Sequence, residues 1–384
     1  AINLYYLDLN ILKQFSEQIY ETHSSFLVGT GIHFKVNTRT QALEIGYTDM
    51  DNTISSLDSL SKVIEGKRIS EIPIEDFEKL EARFSGLESF YQSHLRLISQ
   101  PDFAFKLPQK QKQWFRKVDE QRENLHRNFL KILFQPEEIH TDLDLMYRHA
   151  PSVLHFILPE FLGLKDLSSP GHLYLKGPVT DYIKTTTKKL QALIRHEKEQ
   201  FQNLHFLHRL AQREFGPMTA GTVGVSEAQI EQLEAIVEHL RKNTPLFHAL
   251  ILSFIFQDVG RIPALRDKYK NDINPADLAY NGALFLEKEH IPERHGLDEQ
   301  AKTYLIFLVR HHGLLHHIIR GETSLFALQD ILSPEQESPG VFDAFFLLSF
   351  IVLSAIREDL ILEDLADWLF NIRSLCHRVM AGET

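Results

Sequence analysis

Apolar residues recur at three- and four-residue steps through most of this chain, the spacing of one face of an α-helix. Phe77, Leu80, Phe84, Leu87, Tyr91 and Leu95 form one such stripe, and Pro73, following Ser70, fits the first turn before it. Strict alternation, the mark of a half-buried strand, appears in one place. Ile32, Phe34 and Val36, then Leu43, Ile45 and Tyr47, flank Asn37-Thr38-Arg39-Thr40, which predicts a small hairpin. A short helical pattern from Ile11 to Ile19 precedes it. Further helices are predicted near 111–134, between Pro151 and Pro159, and near 179–215, 227–242, 245–257, 274–290, 298–319, 324–331, 339–357 and 361–380. Glycines and prolines mark 163–178 and 216–226 as loops. The expected fold class is mainly α. A helical domain with an N-terminal β-hairpin covers 1–145, and an all-α domain covers 146–384.

A chain of 384 residues is long enough for two domains and a large core. Lysine and arginine number 41 against 52 acidic residues, a net charge of −11, so the overall field disfavours nucleic acid. The single cysteine, Cys376, excludes an internal disulfide and suits a reducing cytoplasm. The longest apolar run, Ala344 to Ile356, is too short for a membrane span and contains Ser349 and Ser354. No basic region precedes an apolar one at Ala1–Tyr5, so neither a signal peptide nor a membrane partner is expected. The oligomeric state is not legible.

Two stretches carry candidate chemistry. Leu250 to Phe256 reads as a buried helix that ends in a polar pair, Gln257-Asp258, followed by Val259-Gly260-Arg261. His311, His312, His316 and His317 lie near the end of another helix. His312 and His316 are four apart and share a face, a spacing that can chelate Zn²⁺. His205 and His208 read as solvent-facing, and Cys376-His377 lacks further ligands nearby. The Gly221-Thr222-Val223-Gly224 stretch is only superficially a phosphate loop, because no lysine follows and no strand precedes.

The order of these segments resembles the HD metal-dependent phosphohydrolase superfamily, and within it the linker and HD region of bacterial PII uridylyltransferase/uridylyl-removing enzymes. Ile157-Leu158-Pro159-Glu160-Phe161 resembles a proline-glutamate-phenylalanine segment of that family. His172 to Ile183 lies over the family's "HDLFHVYTVDEH", and Phe256 to Arg261 over "FHDIGK". Leu308-Val309-Arg310-His311-His312 lies over "LVRHH", and Leu353 to Arg357 over "VADIR". Phe105 to Gln109 faintly matches the linker's "LLFDLQ". The resemblance implies a helical linker followed by an HD-like domain, and a protein partner of PII type.

The departures from that pattern govern the functional expectation. The family's metal-binding histidines fall at Lys176, at Gln257 and near Leu278, and its late aspartate falls at Ala355; Asp258, His311 and His312 remain. Leucine and alanine supply no ligand, glutamine is a weak one, and a lysine ammonium repels a dication. Lys176 is expected to pair with Asp258 in place of the metal. The expectation is a catalytically silent regulatory, ligand-sensing or interaction module with no cofactor. Lys176, Gln257, Arg261, Arg310 and His312, with His311, are the candidates to hold a nucleotide or phosphate. One alternative is an active phosphohydrolase in which Asp258 and His311 act with Mn²⁺, Fe²⁺ or Zn²⁺, held by Asp258, His311, His312 and His316. The other is a purely structural scaffold, in which the helices near Val179, Ile251, Tyr304 and Leu347 do not converge on one pocket.

Overall fold

The computed structural model describes residues 2–3, 32–37, 42–47, 68–79, 81–82, 109–167, 178–198, 225–332, 339–356 and 363–383. They are mainly helical. The chain divides into two compact units, Ala1–Ile132 with Asp144–Ile157, and Leu133–Leu143 with Leu158–Thr384. The chain thus crosses between units more than once, and the boundary expected at 145/146 falls inside a helix, Ile139–His149.

In the first unit, three short strands, β1 (Ile2–Asn3), β2 (Ile32–Asn37) and β3 (Ala42–Tyr47), pair antiparallel in the order β1-β3-β2. Ile32 lies opposite Tyr47 and Asn37 opposite Ala42. The turn expected between β2 and β3 and the helix expected over Ile11–Ile19 lie outside the described residues, as does most of the Phe77–Leu95 stripe. Of that stripe, Phe77 is buried. Helix α1 (Gln109–Leu133) buries Phe129. Helix α2 is Ile139–His149, and α3 is Pro151–Ile157. The Ser152 N–H donates to the Glu81 carboxylate at 3.0 Å, which places an anion where the orphan amides of the first turn of α3 favour one.

The second unit is built around α7 (Thr244–Phe256). Its side chains are apolar all round and almost all buried, the signature of a central helix. Around it pack α5 (Val179–Ile194), α6 (Glu227–Arg241), α11 (Glu299–His311) and α13 (Pro339–Ile356). The short α4 (Pro159–Gly163) also packs against α7. After α7 come a 3-10 turn at Val259–Arg261, α8 (Pro263–Lys268), α9 (Leu278–Lys288) and α10 (Ile291–Arg294). Helix α12 is Leu314–Ile319, and the final helix, α14, is Glu363–Met380.

Side-chain caps set four of these starts. Ser226 and Gln229 form a reciprocal capping box at α6. Asn243, Asp277 and Asp298 each accept a first-turn amide, from Leu246, Tyr280 and Ala301. Each such cap is worth about 1 kcal/mol. Asp343 on α13 accepts from Arg373 Nε at 2.7 Å and from His377 Nε2 at 2.8 Å, clasping α14 to α13.

Two helix ends differ from expectation. The helix predicted over 179–215 stops at Ile194. His196 takes the left-handed conformation (φ 58°), Glu197 N–H reaches Ala192 O, and His196 N–H reaches Leu193 O. That pattern is a Schellman cap, here made without the glycine that usually announces one. Likewise the helix predicted over 298–319 is two helices, because the chain turns at His312-Gly313. Among the described residues no helix is long and apolar enough to cross a membrane.

Candidate functional site

The site begins with a close approach of two backbones. A Cβ on Gly260 would lie 2.1 Å from Leu278 O and 2.7 Å from Gly282 N. Only glycine lets the turn after α7 rest directly on α9. Gly282 faces back, and a Cβ there would lie 3.1 Å from a Val309 methyl on α11. These glycines therefore draw three segments together: Asp258–Arg261, the start of α9, and the end of α11.

Where they meet, the second unit holds a cavity of about 500 Å³, within the size range of small-ligand sites. Val179 and Tyr182 line it from α5, Asp258 and Arg261 from the turn after α7, and Asp277 and Leu278 from the start of α9. Arg310, His311 and His312 line it at the end of α11, His316, His317 and Arg320 along α12, and Val352 from α13. Of the helices near Val179, Ile251, Tyr304 and Leu347, the first and the last two bring residues to one pocket, and α7 does so only through the turn that follows it.

Asp258 and Arg261 form the innermost charge pair. Arg261 Nε donates to Asp258 Oδ1 at 2.5 Å, and both side chains are largely shielded from solvent. Lys176, the partner expected for Asp258, lies outside the described residues. Tyr182 donates its hydroxyl to Val352 O at 3.2 Å. Burial, and then the negative charge of Asp258, raise its phenol well above the usual value, with Arg261 acting the other way.

Gln257 is placed differently from expectation. It is buried but does not line the cavity. Its amide nitrogen donates to Thr186 Oγ1 at 3.3 Å and to Phe254 O at 3.1 Å, so its polar end faces α5 and its own helix. His312 Nδ1 lies 2.7 Å from Val309 O, which makes Nδ1 the protonated nitrogen and leaves the Nε2 lone pair. Burial holds this imidazole below the ordinary histidine value of 6.5, while the charge of Asp258 opposes the shift.

Three arginines reach the cavity, and each has a different companion. Arg261 has Asp258. Arg310 packs over the Tyr280 ring, 5.2 Å from its centroid, and no described carboxylate pairs with it. Arg320 Nη2 lies 2.9 Å from Glu322 Oε1. The other oxygen of that carboxylate takes His317 Nδ1 at 2.6 Å.

Chemically, the pocket sets three arginines, four histidines and two aspartates beside an apolar lining that includes Val179, Leu278, Leu314 and Val352. Three of the positions that the family pattern gives to metal ligands are altered or engaged here. Asp258 is engaged by Arg261, Gln257 is turned away, and Leu278 offers no ligand. Among the described residues no three of His, Cys, Asp or Glu gather into a group able to hold a metal. Ala355 is half-buried and does not line the cavity. Asp181, which overlies an aspartate of the family pattern, is exposed and pairs with Lys184.

Of the residues singled out in the sequence, Asp258, Arg261, Arg310, His311, His312 and His316 share this one cavity. His205 and His208 lie outside the described residues. Cys376 is buried, and burial pushes its thiol up to about 11, which makes it unreactive; His377 beside it is bound to Asp343. Sequence reasoning missed Tyr182 and Arg320. Arg320 follows His316 by one helical turn, so the four-residue spacing alone could have added it to the cluster. No family model matches this chain, and no curated protein matches it.

Proposed function

We propose that the second unit is an HD-like, catalytically silent regulatory domain whose cavity takes a phosphate-bearing ligand, such as a nucleotide, without metal. The observation that carries this reading is the Arg261–Asp258 pair inside a cavity that Arg310, Arg320 and four histidines also face, against one further carboxylate, Asp277, whose Oδ1 is taken by the Tyr280 amide. In an HD hydrolase the aspartate binds metal. Here a guanidinium supplies the positive charge instead, fixed by the chain. Arginine suits phosphate because its planar donors meet two oxygens at once. The apolar lining at Val179, Leu278, Leu314 and Val352 accepts the body of a nucleoside-sized molecule.

The first unit then corresponds to the helical linker of the resemblance, the chain is a cytoplasmic protein, and a PII-type partner reads the liganded state. Accidental likeness to a plain scaffold is disfavoured by the meeting of α5, α11, α13 and the turn after α7 at one cavity that carries both charged and apolar residues. Retained hydrolysis is disfavoured by the engagement of Asp258.

The test is calorimetric titration with nucleoside mono-, di- and triphosphates. Saturable binding without metal, weakened at least tenfold in Arg310→Ala, is the expected result. Mn²⁺-dependent hydrolysis of a model phosphodiester that disappears in Asp258→Ala would overturn the reading in favour of the hydrolase.

A further inference from the structure

Glu322 does not line the cavity, yet its carboxylate bridges two side chains that do, His317 and Arg320. One oxygen takes His317 Nδ1 and the other takes Arg320 Nη2. This two-point grip on an oxyanion is the kind that also suits a phosphate. The His317 Nε2 edge turns to the cavity wall, 3.5 Å from where a Cβ on Gly313 would stand. We infer that His317 and Arg320 form an anion subsite at the cavity rim, occupied by the chain's own Glu322 until a ligand phosphate displaces it. The inference rests on the phosphate-binding reading above and names where a phosphate enters.

The backbone makes the exchange local. Helix α12 ends in a Schellman cap: Gly321 adopts φ +70°, its N–H reaches Ile318 O, and Glu322 N–H reaches His317 O. Glu322 is therefore held beside His317 by main-chain bonds, whatever its side chain does. Rotation about its side-chain torsions vacates the subsite without unwinding the helix. All three partners are about half exposed, so water can solvate the released carboxylate. The His317 hydrogen bond, and then the charge of Arg320, hold the Glu322 carboxyl below its ordinary value of 4.5, so at neutral pH it competes as an anion.

The subsite also gives the pocket a division of labour. Arg261, tied inward to Asp258, keeps the floor neutral. Arg310, stacked on Tyr280, is a standing cation. The His317–Arg320 pair is the conditional one, available in proportion to how well the ligand outcompetes Glu322.

The experiment is titration of the full chain with inorganic pyrophosphate, comparing the wild type with Glu322→Gln. Neutralising the competitor is expected to tighten binding by about tenfold, a modest charge contact on the affinity scale. Adding Arg320→Gln to Glu322→Gln should abolish that gain. Glu299→Gln, at the far end of α11 and roughly 16 Å along its axis from Arg310, controls for net charge and should match the wild type. Unchanged affinity in Glu322→Gln, while Arg310→Ala still weakens binding, overturns the rim subsite and leaves the phosphate-binding reading standing. An equal gain in Glu299→Gln also overturns it. Absence of pyrophosphate binding in every protein overturns both.

Discussion

Arg261 and Asp258 are joined across a single 3-10 turn, Nε to Oδ1 at 2.5 Å, with little of either side chain open to solvent. Removing one partner of such a pair leaves a shielded charge uncompensated, whereas removing both with apolar replacements can be neutral. Arg261→Met is expected to destabilise the second unit by roughly 3 kcal/mol. Arg261→Met combined with Asp258→Leu should recover most of that loss. Urea denaturation of the two variants measures the difference, and equal losses would mean that the pair is not coupled.

Gly260 is the position least able to accept a side chain. Its added Cβ would collide with the main chain of Leu278 and Gly282, which cannot rotate away. Gly260→Ala should cost about 3 kcal/mol or more by overpacking, with a fall in Tm and loss of ligand binding together. In Gly282→Ala the clash is with a Val309 methyl at 3.1 Å, a side chain that can shift. The second variant should therefore be the milder in thermal melts.

His312 makes stability depend on pH in a defined direction. Its folded value lies below 6.5, so on acidification the unfolded chain takes up the proton first. This contribution is fully present above about pH 6.5 and is lost as pH falls toward the folded value. His248, lowered by burial against Phe134, acts in the same sense. Glu289, Glu293 and Glu322 lie below 4.5, so their contribution is lost only in more acid solution. Tm is expected to decline between pH 7 and pH 5.5, with a shallower decline in His312→Gln. An unaltered slope in that variant would remove His312 as a source.

Gly321 is strained for any other residue by conformation, not by space. Its φ is +70° and nothing stands near its Cβ position. Gly321→Ala should cost about 1–2 kcal/mol, and Gly321→Asn less, since asparagine visits the left-handed region more readily. Guanidinium unfolding of the two variants checks the order.

Helix content was plain in the chain because a period of 3.6 and the polar caps are local properties. Asn243, Asp277, Asp298 and the Ser226–Gln229 box all mark starts that the structure uses. Ends were less legible. The stop at Ile194 depends on His196 accepting a left-handed backbone, which no sequence preference announces. The break at His312-Gly313 leaves the apolar spacing running on into α12, where Leu315 and Ile318 are also buried, so periodicity does not mark it.

For the site, the residue types were legible and the pairings were not. Sequence alone placed Gln257-Asp258 at the end of a buried helix and the four histidines near the end of another, and it set Gly260 two positions after Asp258. Tertiary structure alone decided that Gln257 turns toward Thr186, that Arg261 takes Asp258, and that Glu322 spans His317 and Arg320. The physical reason is that helical periodicity fixes a side chain's direction only to within a face. Which partner it meets is set by how neighbouring helices approach, and here that approach is governed by two glycines, Gly260 and Gly282, on separate segments.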